Sequence, residues 1–121
     1  MGTQVERRRE KRLRFFWPLW FGYQESGELI RGQAVDLNRT GISFTVEERL
    51  CPSPGQRVVT RFSFPRHAQD DFAMDSYYHW SEVIRVDRAV GGRCRVALRL
   101  HQPLAYNPAE PVEEQALAQT A

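Results

Sequence analysis

Apolar and polar residues alternate with a period of two along most of this chain, the spacing of strands that bury one face. The clearest run sets Cys94, Val96, Leu98 and Leu100 against Arg93, Arg95 and Arg99. Ile42, Phe44 and Val46 alternate with Ser43 and Thr45, and Val58, Thr60, Phe62 and Phe64 alternate with Val59, Arg61 and Ser63. Two more strands are predicted over Glu28–Leu37, where Gly32 and Ala34 leave room for close approach, and over Tyr77–Asp87. The segment Phe15–Tyr23 is aromatic on both faces, and Pro18 inside it lacks a backbone donor, which argues for an edge strand or a bulge. Turn signals fall at Gln24–Gly27, Pro52–Gly55 and Gly91-Gly92, with a long polar loop from Pro65 to Ser76. Six short antiparallel strands make an all-β fold, a small closed barrel or a sandwich.

The pattern fails at both ends. Residues 1–14 are polar and charged, with Leu13 the only sizeable apolar group after Val5. Such a segment cannot offset its ordering entropy by burial, so a flexible basic arm is expected there. Beyond Pro103, Asn107-Pro108-Ala109-Glu110 has the form of a helix cap ahead of Val112, Ala116 and Leu117, but Pro111 weakens it. Residues 103–121 are therefore expected to form a short frayed helix or a tail, flanking one core domain over 15–102.

Composition narrows the function classes. With 41% hydrophobic and 26% charged residues the balance is that of an ordinary soluble domain, and no apolar run approaches the ~18 residues of a membrane helix. The basic start leads into Phe15 and Trp17 rather than a signal peptide, so a cytoplasmic protein is expected. Cys51 and Cys94 lack a C-x-x-C spacing and are expected to be reduced, structural thiols. His67 falls near Asp70, Asp71 and Asp75 without recognisable ligand spacing, and His79 and His101 read as structural or exposed, so no metal is expected. No nucleophile–base set and no glycine-rich phosphate loop stands out, which argues against an enzyme and against a cofactor. Trp17, Trp20, Tyr78 and Trp80 read as core and rim packing. A net charge of +2 is too small for a general nucleic-acid binder, although sixteen of the seventeen basic residues are arginine.

Two clusters carry the chemistry. Arg7-Arg8-Arg9-Glu10-Lys11-Arg12 supplies forked, permanent positive charge, and Asp36-Leu37-Asn38-Arg39-Thr40-Gly41 packs a carboxylate, an amide and a glycine into one tight turn. Arginine forks match phosphate oxygens and the O6/N7 edge of guanine, while a carboxylate accepts from guanine N–H groups. If the turn after the first strand is centred near Glu25 and Ser26, paired residues sum to about 51, give or take one. Residue 15 then lies opposite residue 36, and the arginines emerge one strand spacing, ~4.8 Å, from Asp36.

In these residues the chain resembles the PilZ family of bacterial cyclic di-GMP receptors over residues 7 to 102. Arg8 and Arg12 match the family's R-x-x-x-R signature, and Asp36 to Gly41 match [D/N]-x-S-x-x-G with Asn38 in the serine position. The resemblance implies a six-stranded antiparallel β-barrel and ligand contacts from Arg8, Arg12, Asp36, Asn38 and Gly41, with Arg7, Arg9 and Arg14 assisting. Asp36 could instead close an Asx-turn, Gly41 needs positive φ or close backbone approach, and Arg39 and Thr40 face solvent. The implied function is a cytoplasmic cyclic di-GMP receptor whose arm orders on binding and whose signal leaves through a protein partner. Two alternatives stay open: a PilZ-like interaction adaptor that has lost its nucleotide, for which Asn38 is the best support, and a nucleic-acid-binding barrel with a basic arm.

Overall fold

A computed structural model describes residues 11–14, 16–66 and 73–109. Seven strands appear among them: β1 (Leu13–Arg14), β2 (Pro18–Gly22), β3 (Ile30–Leu37), β4 (Gly41–Glu47), β5 (Arg57–Pro65), β6 (Met74–Ala89) and β7 (Arg93–Leu100). All pair antiparallel. The neighbours run β1-β3-β2-β5-β6-β7-β4, and a further β3–β4 ladder joins the ends. Both β1 and β2 lie along the same side of β3, so β1 extends β2 and the ring is a closed six-stranded barrel. Closure leaves no long unpaired edge among the described strands.

The inward rows are those the alternation marked. Leu19, Phe21, Leu37, Ile42, Phe44, Val58, Phe62, Val83, Val96 and Leu98 are all buried in one cluster. Gly32 is small because a side chain there would collide with Phe44, whose ring lies 2.7 Å from the position a Cβ would take. Positive φ at Gly91 and Gly92 makes the tight β6–β7 turn that glycine alone adopts cheaply.

Several expectations change. Pro18 does not mark an edge, because β2 is flanked by both β3 and β5. It is tolerated as the first residue of the strand, where its missing donor breaks no ladder bond. The sheet starts at Leu13, inside the segment read as an arm. At the other end Leu104, Asn107 and Pro108 are buried against the barrel, so packing continues past residue 102. The predicted helix beyond Glu110, like His67, Asp70, Asp71 and Arg7 to Arg9, lies outside the described residues. Cys51 and Cys94 are not separate thiols but a disulfide, with Cα atoms 6.6 Å apart. A 3₁₀ turn over Glu48–Leu50 folds the chain back after β4, and Glu48 N–H donates to Gly92 O at 3.0 Å, which delivers Cys51 to the start of β7. A separation of 43 residues gave no local signal for that pairing.

Candidate functional site

One irregularity in β3 creates the site. Ala34 pairs with Phe44 and Leu37 with Ile42, all four facing the core, so an unbroken alternation cannot serve both ends of the strand. The β3–β4 register shifts between Ala34 and Asp36, leaving Val35 as the extra residue. This bulge reverses the parity and turns Asp36 to the outside, beside Ser43. A matching shift between Val83 and Arg85 on β6 pushes Ile84 outward, where it is 53% exposed. Together the two bulges flank a groove of about 580 Å³ on the barrel's outer wall.

The register brings Lys11 and Arg12, the described end of the first cluster, beside Asp36 of the second. β2 and β3 pair with a constant sum of 51, and a one-residue slip on the N-terminal side, between Arg14 and Pro18, lowers the sum to 50 in β1 and places Arg14 opposite Asp36. Arg12 Nη1 donates to Asp36 Oδ1 at 3.3 Å across 24 residues. The other carboxylate oxygen, Oδ2, accepts from Arg95 Nη2 at 2.6 Å. The Asp36 side chain is 11% exposed, and the two arginines are 42% and 48% exposed. A nearly buried carboxylate thus sits between two guanidiniums that still reach solvent. It closes no Asx-turn.

Asn38 has that turn role instead. Its Oδ1 accepts from Gly41 N–H at 2.8 Å and Thr40 N–H at 3.0 Å. A serine hydroxyl could accept one of these bonds, so the asparagine conserves the turn chemistry of the motif. Gly41 adopts no positive φ; it is glycine because a Cβ would meet Leu98 O at 2.9 Å. Arg39 and Thr40 are exposed, yet Arg39 Nε reaches Leu104 O at 3.1 Å and ties the turn to the chain beyond β7. Asn107 Nδ2 donates to Lys11 O at 3.1 Å and so fastens the root of the arm beside the groove.

The groove wall carries Lys11, Arg12, Arg14, Arg85 and Arg95 against two acids, Asp36 and Asp87. Asp87 is already engaged by Arg85 Nε at 2.7 Å. A surplus of fixed cations around two satisfied carboxylates favours an anionic ligand. Arg95 and Arg85 were missed as site residues in the sequence. Alternation does place Arg95 on the outer face of β7, but only the strand order shows which neighbour it meets. Ala97 pairs with Ser43 and Ser43 with Asp36, which sets Arg95 within reach of Asp36.

No family model matches the sequence, and no curated protein does. Among solved structures the chain is similar to the Bacillus subtilis inhibitor of motility MotI/DgrA, at 16% identity and a TM-score of 0.63. The fold is PilZ-like. The match covers 93% of this chain and 48% of the other, so the barrel spans about half the length of that protein.

Proposed function

We propose that this protein is a cyclic di-GMP receptor that works as an adaptor. The observation that carries the reading is the convergence of Arg12 and Asp36, from two separated motifs, on one cationic groove. A carboxylate offers about four acceptor sites and a guanidinium five donors, so the Arg12–Asp36–Arg95 clamp has capacity left for a ligand. Asp36 accepts from guanine N1–H and N2–H, and the arginines take phosphate oxygens and the O6/N7 edge. Ile84 offers an apolar surface at the groove's edge. On this reading Arg7, Arg8 and Arg9 of the basic arm add further contacts to the bound nucleotide. Fixed cations and engaged carboxylates suit binding rather than turnover. The signal then passes to a protein partner, in the cytoplasm where such a messenger acts.

Fluorescence anisotropy with labelled cyclic di-GMP tests this reading. The Arg8→Ala variant should bind at least about tenfold more weakly, the equivalent of ~1.4 kcal/mol, with an unchanged melting temperature. Unaltered affinity in that variant would remove the arm from the site.

A further inference from the structure

The opposite wall of the barrel carries a second patterned surface. One rung runs across four strands: Arg31 of β3 pairs with Trp20 of β2, Trp20 with Arg61 of β5, and Arg61 with Tyr78 of β6. Cation and aromatic ring alternate along it. The Arg61 guanidinium carbon lies 4.9 Å from the Trp20 ring centroid, and that of Arg57, four residues earlier on β5, lies 5.3 Å from the Trp80 ring. Between the two arginines Val59 pairs with Trp80 and is 2% exposed, the floor of a depression of about 500 Å³ rimmed by Tyr78 and Trp80.

The charges on this wall are unbalanced. Glu25 accepts from Trp80 Nε1–H at 3.0 Å, and Glu82 is taken by Arg99. Arg31, Arg57 and Arg61 are exposed and make no ion pair among the described residues. Stacking on indole holds a guanidinium flat at little entropic cost and leaves its N–H fork free to receive a carboxylate. Tryptophan, tyrosine and arginine are also the residues that dominate protein–protein hot spots. A single nucleic-acid strand fits poorly, because the indole faces on which bases would stack are covered by arginine.

We infer that this wall docks an extended acidic segment of a partner protein, with a carboxylate for each of Arg57 and Arg61 and an apolar side chain between them over Val59. The arginines are four residues apart on β5, about 13 Å along an extended chain, so i and i+4 of the segment carry the acids and i+2 the anchor. This names the partner chemistry for the adaptor half of the proposed function, and it stands apart from the nucleotide half.

The test uses the full chain with ¹⁵N-labelled tryptophan. The probe is an end-blocked peptide containing Glu-Thr-Leu-Thr-Glu, set beside the same peptide with lysine for glutamate and a ten-residue oligothymidylate. The acidic peptide should shift the Trp20 and Trp80 indole signals. Arg57→Gln and Arg61→Gln should each weaken it about tenfold, Arg61→Lys should restore part of the loss, and Arg12→Ala should leave it unchanged, all in variants shown by melting to be folded. Equal binding of the lysine peptide, tighter binding of the oligonucleotide, or indifference to both glutamine variants would overturn the inference. Each titration is repeated with cyclic di-GMP. A chain that takes the peptide but not the nucleotide overturns the nucleotide reading alone, and the reverse overturns this one alone.

Discussion

Removing Arg95 should cost far more stability than removing Arg12, although both bind the same carboxylate. Asp36 is nearly buried and accepts from Arg95 at 2.6 Å but from Arg12 at 3.3 Å. A hydrogen bond to a charged group contributes about 1.5–3 kcal/mol when sheltered. Arg95 is 48% exposed, so water replaces part of that contribution, and roughly 1–2 kcal/mol is the expected cost of Arg95→Ala. The longer Arg12 contact comes from beyond the end of the sheet, and Arg12→Ala should cost under about 1 kcal/mol. For a domain of this size a loss near 1.5 kcal/mol lowers Tm by about 6 °C.

Urea denaturation followed by tryptophan fluorescence measures both variants. A double-mutant cycle with Asp36→Asn isolates the Arg95–Asp36 coupling, expected at about 1 kcal/mol. If Arg12→Ala and Arg95→Ala destabilise equally, or if the cycle is additive, the carboxylate is not clamped from the β7 side and Arg95 has no place in the site.

Two further outcomes follow from the site and its surroundings. Asn38→Ser should keep cyclic di-GMP affinity within about tenfold, since serine still accepts a turn N–H, whereas Asn38→Ala should cost about 1 kcal/mol of stability through two unmade bonds; equal behaviour of the pair in urea titration and binding would make Asn38 a bystander. Tyr106 is pushed above its ordinary 10.0, by burial first and then by its hydrogen bond to Asp75 and that group's charge, and burial also raises Tyr77 and Tyr23. Such groups bind protons more tightly when folded, so their contribution is complete below about pH 10 and is lost as the pH rises through the folded-state values. Alkaline absorbance titration should find Tyr106 among the last tyrosines to ionise, and Tyr106→Phe should remove that step.

Much of the barrel was legible because long stretches of its strands alternate. Cys94 to Leu100 and Val58 to Phe64 needed little beyond period two, and the β2–β3 turn fixed a sum of 51 that slips by one to 50 in β1, where Arg14 meets Asp36. The bulges were not legible. Nothing local in Ala34-Val35-Asp36 says that Val35 is surplus; the parity change is imposed by Leu37 and Ala34 both needing the core. Arg95 stayed hidden for a related reason, since it lies 59 residues from Asp36 and meets it only through β4–β7 pairing. Of the two readings of Pro18 the edge strand fails, because a proline's missing donor excludes the interior of a central strand but not its first residue. The register does slip by one residue between Arg14 and Pro18.

The central claim is that the groove lined by Arg12, Asp36 and Arg95 reads guanine and phosphate together. Isothermal calorimetry of the full chain with cyclic di-GMP and with cyclic di-AMP, in wild type and Arg12→Ala, addresses it directly. Adenine presents a donor where guanine presents O6, so an arginine fork should discriminate by about 1–3 kcal/mol. The account predicts heat of binding with cyclic di-GMP, at least about tenfold weaker binding of cyclic di-AMP, and a comparable loss for Arg12→Ala with the guanine ligand. No binding of cyclic di-GMP by wild type, or equal affinity for the two nucleotides, would contradict it.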